Sequence, residues 1–206
     1  MEMQSDPGHD LAHLDRVWAT ARSLADAATD LPVLLAASYL HDLVNLPKTD
    51  PERSRAARLS AKRAVPILRD LGLGDAAIAA TQHAIEAHSF SAGITPKTPE
   101  AAILRDADRL DALGAIGLAR WFAVSASMGT ALYDPDDPFA QNRPLDDRQF
   151  ALDHWRCKLS QLPGDMITAQ GRALAQERAA LMGDVLRQLG REIGHALPPD
   201  WAPSAE

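Results

Sequence analysis

Val33-Leu34-Leu35-Ala36-Ala37-Ser38-Tyr39-Leu40-His41-Asp42-Leu43-Val44-Asn45 is the stretch on which the fold turns. Up to Leu40 it is too apolar for a surface helix, which keeps a polar face. It reads as the central helix of an all-helical core. Asp30-Leu31-Pro32 opens it, with Asp30 as cap and the proline in the first turn. Asn45-Leu46-Pro47-Lys48-Thr49-Asp50-Pro51 closes it, because two prolines cannot continue a helix. At its end His41 and Asp42 stand side by side between Leu40 and Leu43-Val44. An ionised carboxylate in apolar surroundings is costly unless it is paired or coordinated. Neighbouring helical residues point about 100° apart, yet one cation in a cleft beside the helix end can engage both. The imidazole offers a neutral nitrogen and the carboxylate an anionic oxygen. The plainer alternative is a buried histidine satisfied by a backbone carbonyl, next to an unrelated aspartate.

Upstream, Asp10 to Ala28 carries Leu14, Val17, Trp18, Ala21, Leu24, Ala25 and Ala28 at helical spacing, with Asp10 as cap. His13 sits one turn before Val17 at the edge of this stripe, and Arg16 follows on a neighbouring line. Downstream, Ser54 to Leu71 is helical with a kink or restart expected near Ala64, because Pro66 interrupts it. Gly72 is its stop, and Asp75 caps a helix over Ala76 to His88 whose apolar face is flanked by His83 and His88. Ser89 to Pro99 reads as loop. Ala101 to Leu113 is helical through Ile103, Leu104, Ala107, Leu110 and Leu113, and it crowds three carboxylates, Asp106, Asp108 and Asp111. Like charges so placed cost stability unless they are paired or face a cation. Asp108 borders the buried face, while Arg109 and other arginines can neutralise Asp106 and Asp111.

Gly114 to Ser127 is a further helix. Met128 to Leu145 is irregular and long enough to be functional, and with Tyr133 and Phe139 as anchors it reads as an ordered flap. Asp146 to Leu162 and Asp165 to Leu197 are the last helices; Leu174, Leu181, Met182, Val185, Leu186, Leu189 and Ile193 form a stripe for packing on the body or on a second subunit. The expected layout is all-α: a helical core over 1–127, a flap-like loop over 128–146, and C-terminal helices over 147–206 packing on the core.

With 46% apolar residues the 206-residue chain has the composition of a globular protein. Its 28 acidic and 21 basic side chains give a net charge of −7, which argues against general nucleic-acid binding. A small anionic substrate stays compatible, because a local metal overrides the global sign. The single cysteine, Cys157, excludes an intrachain disulfide and a cysteine zinc site. Met1 to Asp10 lacks the basic start and apolar run of a signal peptide, and no run approaches the ~20 apolar residues of a membrane span. A cytoplasmic protein without membrane association is expected.

Three short pieces, His13-Leu14-Asp15-Arg16-Val17, Leu40-His41-Asp42-Leu43 and Ala107-Asp108-Arg109-Leu110, occur in this order on helical segments. Together they resemble the HD-domain superfamily of metal-dependent phosphohydrolases, over roughly Asp10 to Leu113. Ala87-His88-Ser89-Phe90 and Leu132-Tyr133-Asp134 are similar to a branch of small stand-alone bacterial members. The resemblance implies an HD-like helical bundle and one divalent ion held by His13, His41, Asp42 and Asp108. Manganese, iron, nickel, cobalt or zinc suits that mixed nitrogen and oxygen set, and magnesium suits it less well. Asp42 can also bridge to a second ion. The implied reaction is hydrolysis of a phosphoester or phosphoanhydride bond of a nucleotide or other small phosphate compound by a metal-activated water. His83, His88, Lys48 and Arg16 would contact the phosphoryl group.

One departure stands out. Some relatives carry an acidic residue three or four places after the His-Asp pair, where this chain has Asn45 and Leu46. Help to the water then falls to Asp111, Glu86 or Asp42 itself. A di-iron oxygenase on the same scaffold would need further histidines near the pair, and the 51–71 segment supplies none. A non-catalytic metal- or nucleotide-binding domain is the third reading, against which the intact ligand residues argue. Monomer and homodimer are both open.

Overall fold

The structure is a computed structural model that describes residues 11–46, 52–89 and 92–203. It is all-α, with eight α-helices among the described residues: α1 (Leu11–Leu24), α2 (Leu31–Leu40), α3 (Ala56–Asp70), α4 (Asp75–His88), α5 (Pro99–Leu110), α6 (Gly114–Ser127), α7 (Asp153–Cys157) and α8 (Ala169–Glu192). The chain divides after Asp108 into two compact units.

In the first unit α2 lies at the centre and packs against α1, α3 and α4. Asp30 Oδ1 accepts the Val33 N–H at 3.1 Å, as the sequence predicts for a cap. Glu100 on α5 accepts the Asp30 N–H at 2.8 Å, so both sides of this helix start are held. Val17, Ala21, Val33, Leu34, Ala37, Ala84, Ile85, Leu104 and Ala107 are buried around it. The inner face of α3 is made of small residues, Ala57, Ser60, Ala61 and Ala64, and α3 packs on α4.

Three helix ends differ from expectation. α1 stops at Leu24 rather than Ala28, because Asp26 Oδ1 accepts the Ala28 N–H at 2.9 Å and Thr29 Oγ1 accepts the Asp26 N–H at 3.1 Å. Such local side-chain bonds compete with helix hydrogen bonds. α2 stops at Leu40, so His41 and Asp42 lie in the turn beyond it. His41 Nδ1 donates to the Ser38 carbonyl at 2.9 Å, occupying the acceptor that another helical turn would give to the Asp42 N–H. α3 runs unbroken through Pro66, with no restart at Ala64. Pro66 and Lys62 are both exposed, so the carbonyl that loses its partner lies on the solvent side. The expected cap Asp10 and the loop residues from Pro47 to Pro51, Lys48 included, lie outside the described residues.

In the second unit α6 packs on α8, and Trp121, Trp155 and Trp201 are buried. Each of the first two satisfies its indole: Trp121 donates to the Ala151 carbonyl and Trp155 to the Trp201 carbonyl, both at 2.8 Å. The single helix expected over Asp146–Leu162 does not form; only the five residues of α7 are α-helical, followed by a 3-10 turn over Leu159–Asp165. Gln149 and Ala151 exchange backbone hydrogen bonds with Ala131 instead, at 3.0 and 2.8 Å. The fully buried Asp153 takes Arg143 through two bonds of 2.6 and 2.9 Å and the Asp146 N–H at 2.7 Å. These contacts fix a non-helical turn. The 128–146 segment is irregular as expected, and Arg143 organises it, resting 4.3 Å over the Phe150 ring. α8 is shorter than the Asp165–Leu197 expectation: Thr168 caps it by accepting the Gly171 N–H at 2.9 Å. No described helix is long and apolar enough to cross a membrane.

Candidate metal centre

α1, the turn after α2, the end of α4 and the end of α5 bring His13, His41, Asp42, His88 and Asp108 to one place in the first unit. His13 and His41 are 1% and 0% exposed, deeper than the intermediate burial usual for histidine. His13 Nε2 stands 3.5 Å from Asp108 Oδ1, and His41 Nε2 stands 3.9 Å from the same oxygen. On the other side His41 Nε2 is 3.6 Å from Asp42 Oδ2, and His88 Nε2 is 3.8 Å from Asp42 Oδ1. The imidazoles meet edge to face, His13 on His41 at 5.6 Å and His41 on His88 at 4.8 Å. Two overlapping groups are thereby able to hold a metal: His13, His41 and Asp108, and His41, Asp42 and His88.

The backbone fixes how two of these rings present themselves. His41 Nδ1 donates to the Ser38 carbonyl at 2.9 Å and His88 Nδ1 to the Ile85 carbonyl at 2.6 Å, each three residues back at a helix end. With the proton on Nδ1, Nε2 carries the lone pair, and that is the atom each ring turns toward the carboxylates. Carbonyls that accept the far N–H of metal-binding histidines set their tautomer in the same way. Burial pushes the His41 pKa down, His88 and His13 add to this, and Asp42 and Asp108 do not reverse it, so His41 is a neutral imidazole. Burial pushes the Asp108 carboxyl up, but His13, His41 and His88 more than reverse it and hold it well below the usual carboxylate range. At this point a neutral His41 nitrogen faces an ionised Asp108 carboxylate.

The residues fit a divalent cation. His41 Nε2 is buried and makes no hydrogen bond among the described residues. Gaps of 3.5 to 3.9 Å are longer than the usual N–H···O distance. Two ligand atoms each about 2.1 Å from one ion in tetrahedral arrangement stand about 3.4 Å apart. The observed spacing is that of ligands around an ion rather than of ion pairs in direct contact.

The other sequence candidates fall in different surroundings. Arg16 is half-buried on α1, one turn beyond His13. His83 Nε2 accepts the Lys97 N–H at 2.9 Å, which ties the segment before α5 to α4. Asp111 is buried in the second unit, where Arg120 donates to its carboxylate and, at 3.2 Å, to its carbonyl. Arg109 turns to the Asp165 carbonyl at 3.3 Å and to the Asp165 carboxylate at 3.6 Å. What the sequence does not announce is the pair of main-chain carbonyls, of Ser38 and Ile85, that orient His41 and His88. The available signal was a histidine at the end of each apolar helix.

A family model described as HD domain matches residues 10–113. The uncharacterized protein YpgQ of Bacillus subtilis is 33% identical over 191 residues, which is 90% of this chain and 85% of that protein. The crystal structure of YpgQ in complex with ADP matches with a TM-score of 0.70 and 32% identity, covering 94% of this chain and 92% of that one. An HD-superfamily hydrolase from Bacillus thuringiensis matches with a TM-score of 0.71 and 28% identity, over 93% of this chain and 89% of its own. From the motif order, the helical fold and these matches, the chain belongs to the HD-domain superfamily.

Proposed function

We propose that this chain is a divalent-metal-dependent phosphohydrolase that cuts a phosphoester or phosphoanhydride bond of a nucleotide. The observation that carries the proposal is the buried, unbonded Nε2 of His41, facing the carboxylates of Asp42 and Asp108 with His13 and His88 beside them. His13, His41, Asp42 and Asp108 hold the ion in this reading. Once bound, the cation supplies Lewis acidity and a water acidified toward neutral pH. Asp42, one fifth exposed, is the member of the set that can take a proton from that water. Asp111 and His83 act as supports, since each already holds a partner within the fold. In this reading His88 and Arg16 lie on the phosphoryl side of the ion, and Lys48, six residues after Asp42 in sequence, joins them. ADP bound to the relative YpgQ supports a nucleoside phosphate as the ligand class.

The group of His41, Asp42 and His88 favours a second reading, in which Asp42 and His88 would hold a second ion. Metal content separates the two: one equivalent per chain for the first, two for the second.

The functional test uses metal-free protein supplied in turn with Mn²⁺, Co²⁺, Ni²⁺, Zn²⁺ and Mg²⁺, with ADP and ATP as substrates, and phosphate and pyrophosphate measured separately. Release only in the presence of metal, and its loss in His41→Ala with helical content retained, is the expected result. Tight metal binding without release from either nucleotide would point to a non-catalytic binding domain.

A further inference from the structure

We propose that Ser60 is a positioning residue for the His41–Asp42 pair, acting through Val44; this rests on the metal-site reading above. His41 and Asp42 lie beyond the last turn of α2, where regular helix hydrogen bonding has ended. The backbone bond inside this turn, Leu43 N–H to the Leu40 carbonyl, is long at 3.4 Å. Ser60 reaches the turn from α3. Its Oγ accepts the Val44 N–H at 3.0 Å, and its hydroxyl points to the Val44 carbonyl at 3.5 Å. One side chain thus meets the donor and the acceptor of a single residue, as a neighbouring strand would.

The sequence around Ser60 shows that packing alone does not call for a hydroxyl. Ser60 is 0% exposed and shares its face of α3 with the buried alanines Ala57, Ala61 and Ala64. Alanine would fill the same space. A buried hydroxyl without a partner is destabilising, and here the Val44 backbone is the partner. Val44 is two residues from Asp42, so a fixed Val44 restricts the dihedrals that aim the Asp42 carboxylate. The Ser38 carbonyl holds the imidazole side of the pair, and Ser60 holds the chain on the carboxylate side. Outer groups that orient ligands are commonly worth ten- to hundredfold in metal affinity.

The test is calorimetric titration of Mn²⁺ into metal-free parent, Ser60→Ala, Ser60→Thr, Val44→Pro, Thr81→Val and His41→Ala proteins, each with a thermal melt by circular dichroism. Ser60→Ala should keep the helical spectrum and bind Mn²⁺ roughly ten- to hundredfold more weakly, with Ser60→Thr, which keeps the hydroxyl, closer to the parent. Val44→Pro removes the same bond from its other end and should show the same loss, so the proposal stays testable if Ser60→Ala does not fold. Thr81→Val removes a buried hydroxyl that donates to the Ala77 carbonyl of its own helix, and it should keep parental affinity whatever its melting temperature. Parental affinity in Ser60→Ala or in Val44→Pro, with affinity lost in His41→Ala, would overturn the role of Ser60 alone. Parental affinity in His41→Ala would overturn the metal-site reading itself.

Discussion

His88 Nε2 faces Asp42 Oδ1 across 3.8 Å, while the Nδ1 of the same ring is tied to the Ile85 carbonyl at 2.6 Å. The ring cannot turn away from Asp42 without giving up that bond. His88 therefore contributes to the site as a group held at a set distance from the carboxylate rather than as a mobile surface histidine. If it serves the phosphoryl group, His88→Ala retains one tightly bound Mn²⁺ and loses at least about tenfold in turnover of ADP or ATP. Metal content and steady-state kinetics on the same preparation check this; a fall from two equivalents to one favours the two-ion arrangement instead.

Asp108 Oδ1 lies between His13 and His41, at 3.5 and 3.9 Å. Asp108→Asn keeps the shape and removes the charge, leaving Asp42 as the one anionic oxygen ligand beside the two imidazoles. Mn²⁺ affinity should fall about a hundredfold or more, while the far-ultraviolet spectrum stays helical. Unchanged affinity would remove Asp108 from the ligand set.

Acid should destabilise the metal-free protein earlier than surface histidines alone would cause. Burial lowers the pKa of His41 in the folded chain, whereas the unfolded chain protonates it near the ordinary 6.5. Below that point the unfolded state binds more protons, so stability falls as pH falls through the window below about 6.5. Asp108, held well below the usual carboxylate range, acts in the same direction once pH drops below about 4. The melting temperature of metal-free protein should decline from pH 7 to pH 5, and less so in His41→Gln. A melting temperature that rises over this interval contradicts the sign.

Asp153 is fully buried and receives two bonds from Arg143, at 2.6 and 2.9 Å, and one from the Asp146 N–H at 2.7 Å. Removing one member of a buried pair leaves the other charge uncompensated, at a cost of about 3–5 kcal/mol. Arg143 keeps other acceptors in the Asp137 carbonyl and the Asp134 carboxylate, so the low end of that range applies. Asp153→Ala should lose about 3 kcal/mol in denaturant unfolding; a loss below about 1 kcal/mol would mean that the Trp121 and Trp155 packing holds this region alone.

The candidate site was legible through three short strings whose order resembles the HD-domain superfamily. The structure brings His13, the His41-Asp42 pair and Asp108 of those strings together in space. The start of α2 was legible as well, since Asp30 and Pro32 act within one turn. What escaped depends on contacts between distant parts of the chain. The stop of α2 at Leu40 follows from His41 claiming the Ser38 carbonyl, which depends on the buried setting of the ring. The breakup of Asp146–Leu162 follows from Ala131 and Arg143, which lie outside that segment and pull its backbone into other bonds. Pro66 was expected to kink or restart α3 near Ala64; no restart occurs, because it falls on the exposed side, where water can replace the missing bond. Ser60 gave no signal at all: a serine among alanines reads as a small helix residue until Val44 is seen beside it.

The most direct test of the metal centre is anomalous diffraction from crystals soaked in Mn²⁺. The expected result is a peak bonded to His13 Nε2, His41 Nε2, an Asp42 oxygen and Asp108 Oδ1. No peak there at saturating Mn²⁺, or a peak elsewhere with His41 Nε2 left without a metal bond, would contradict it.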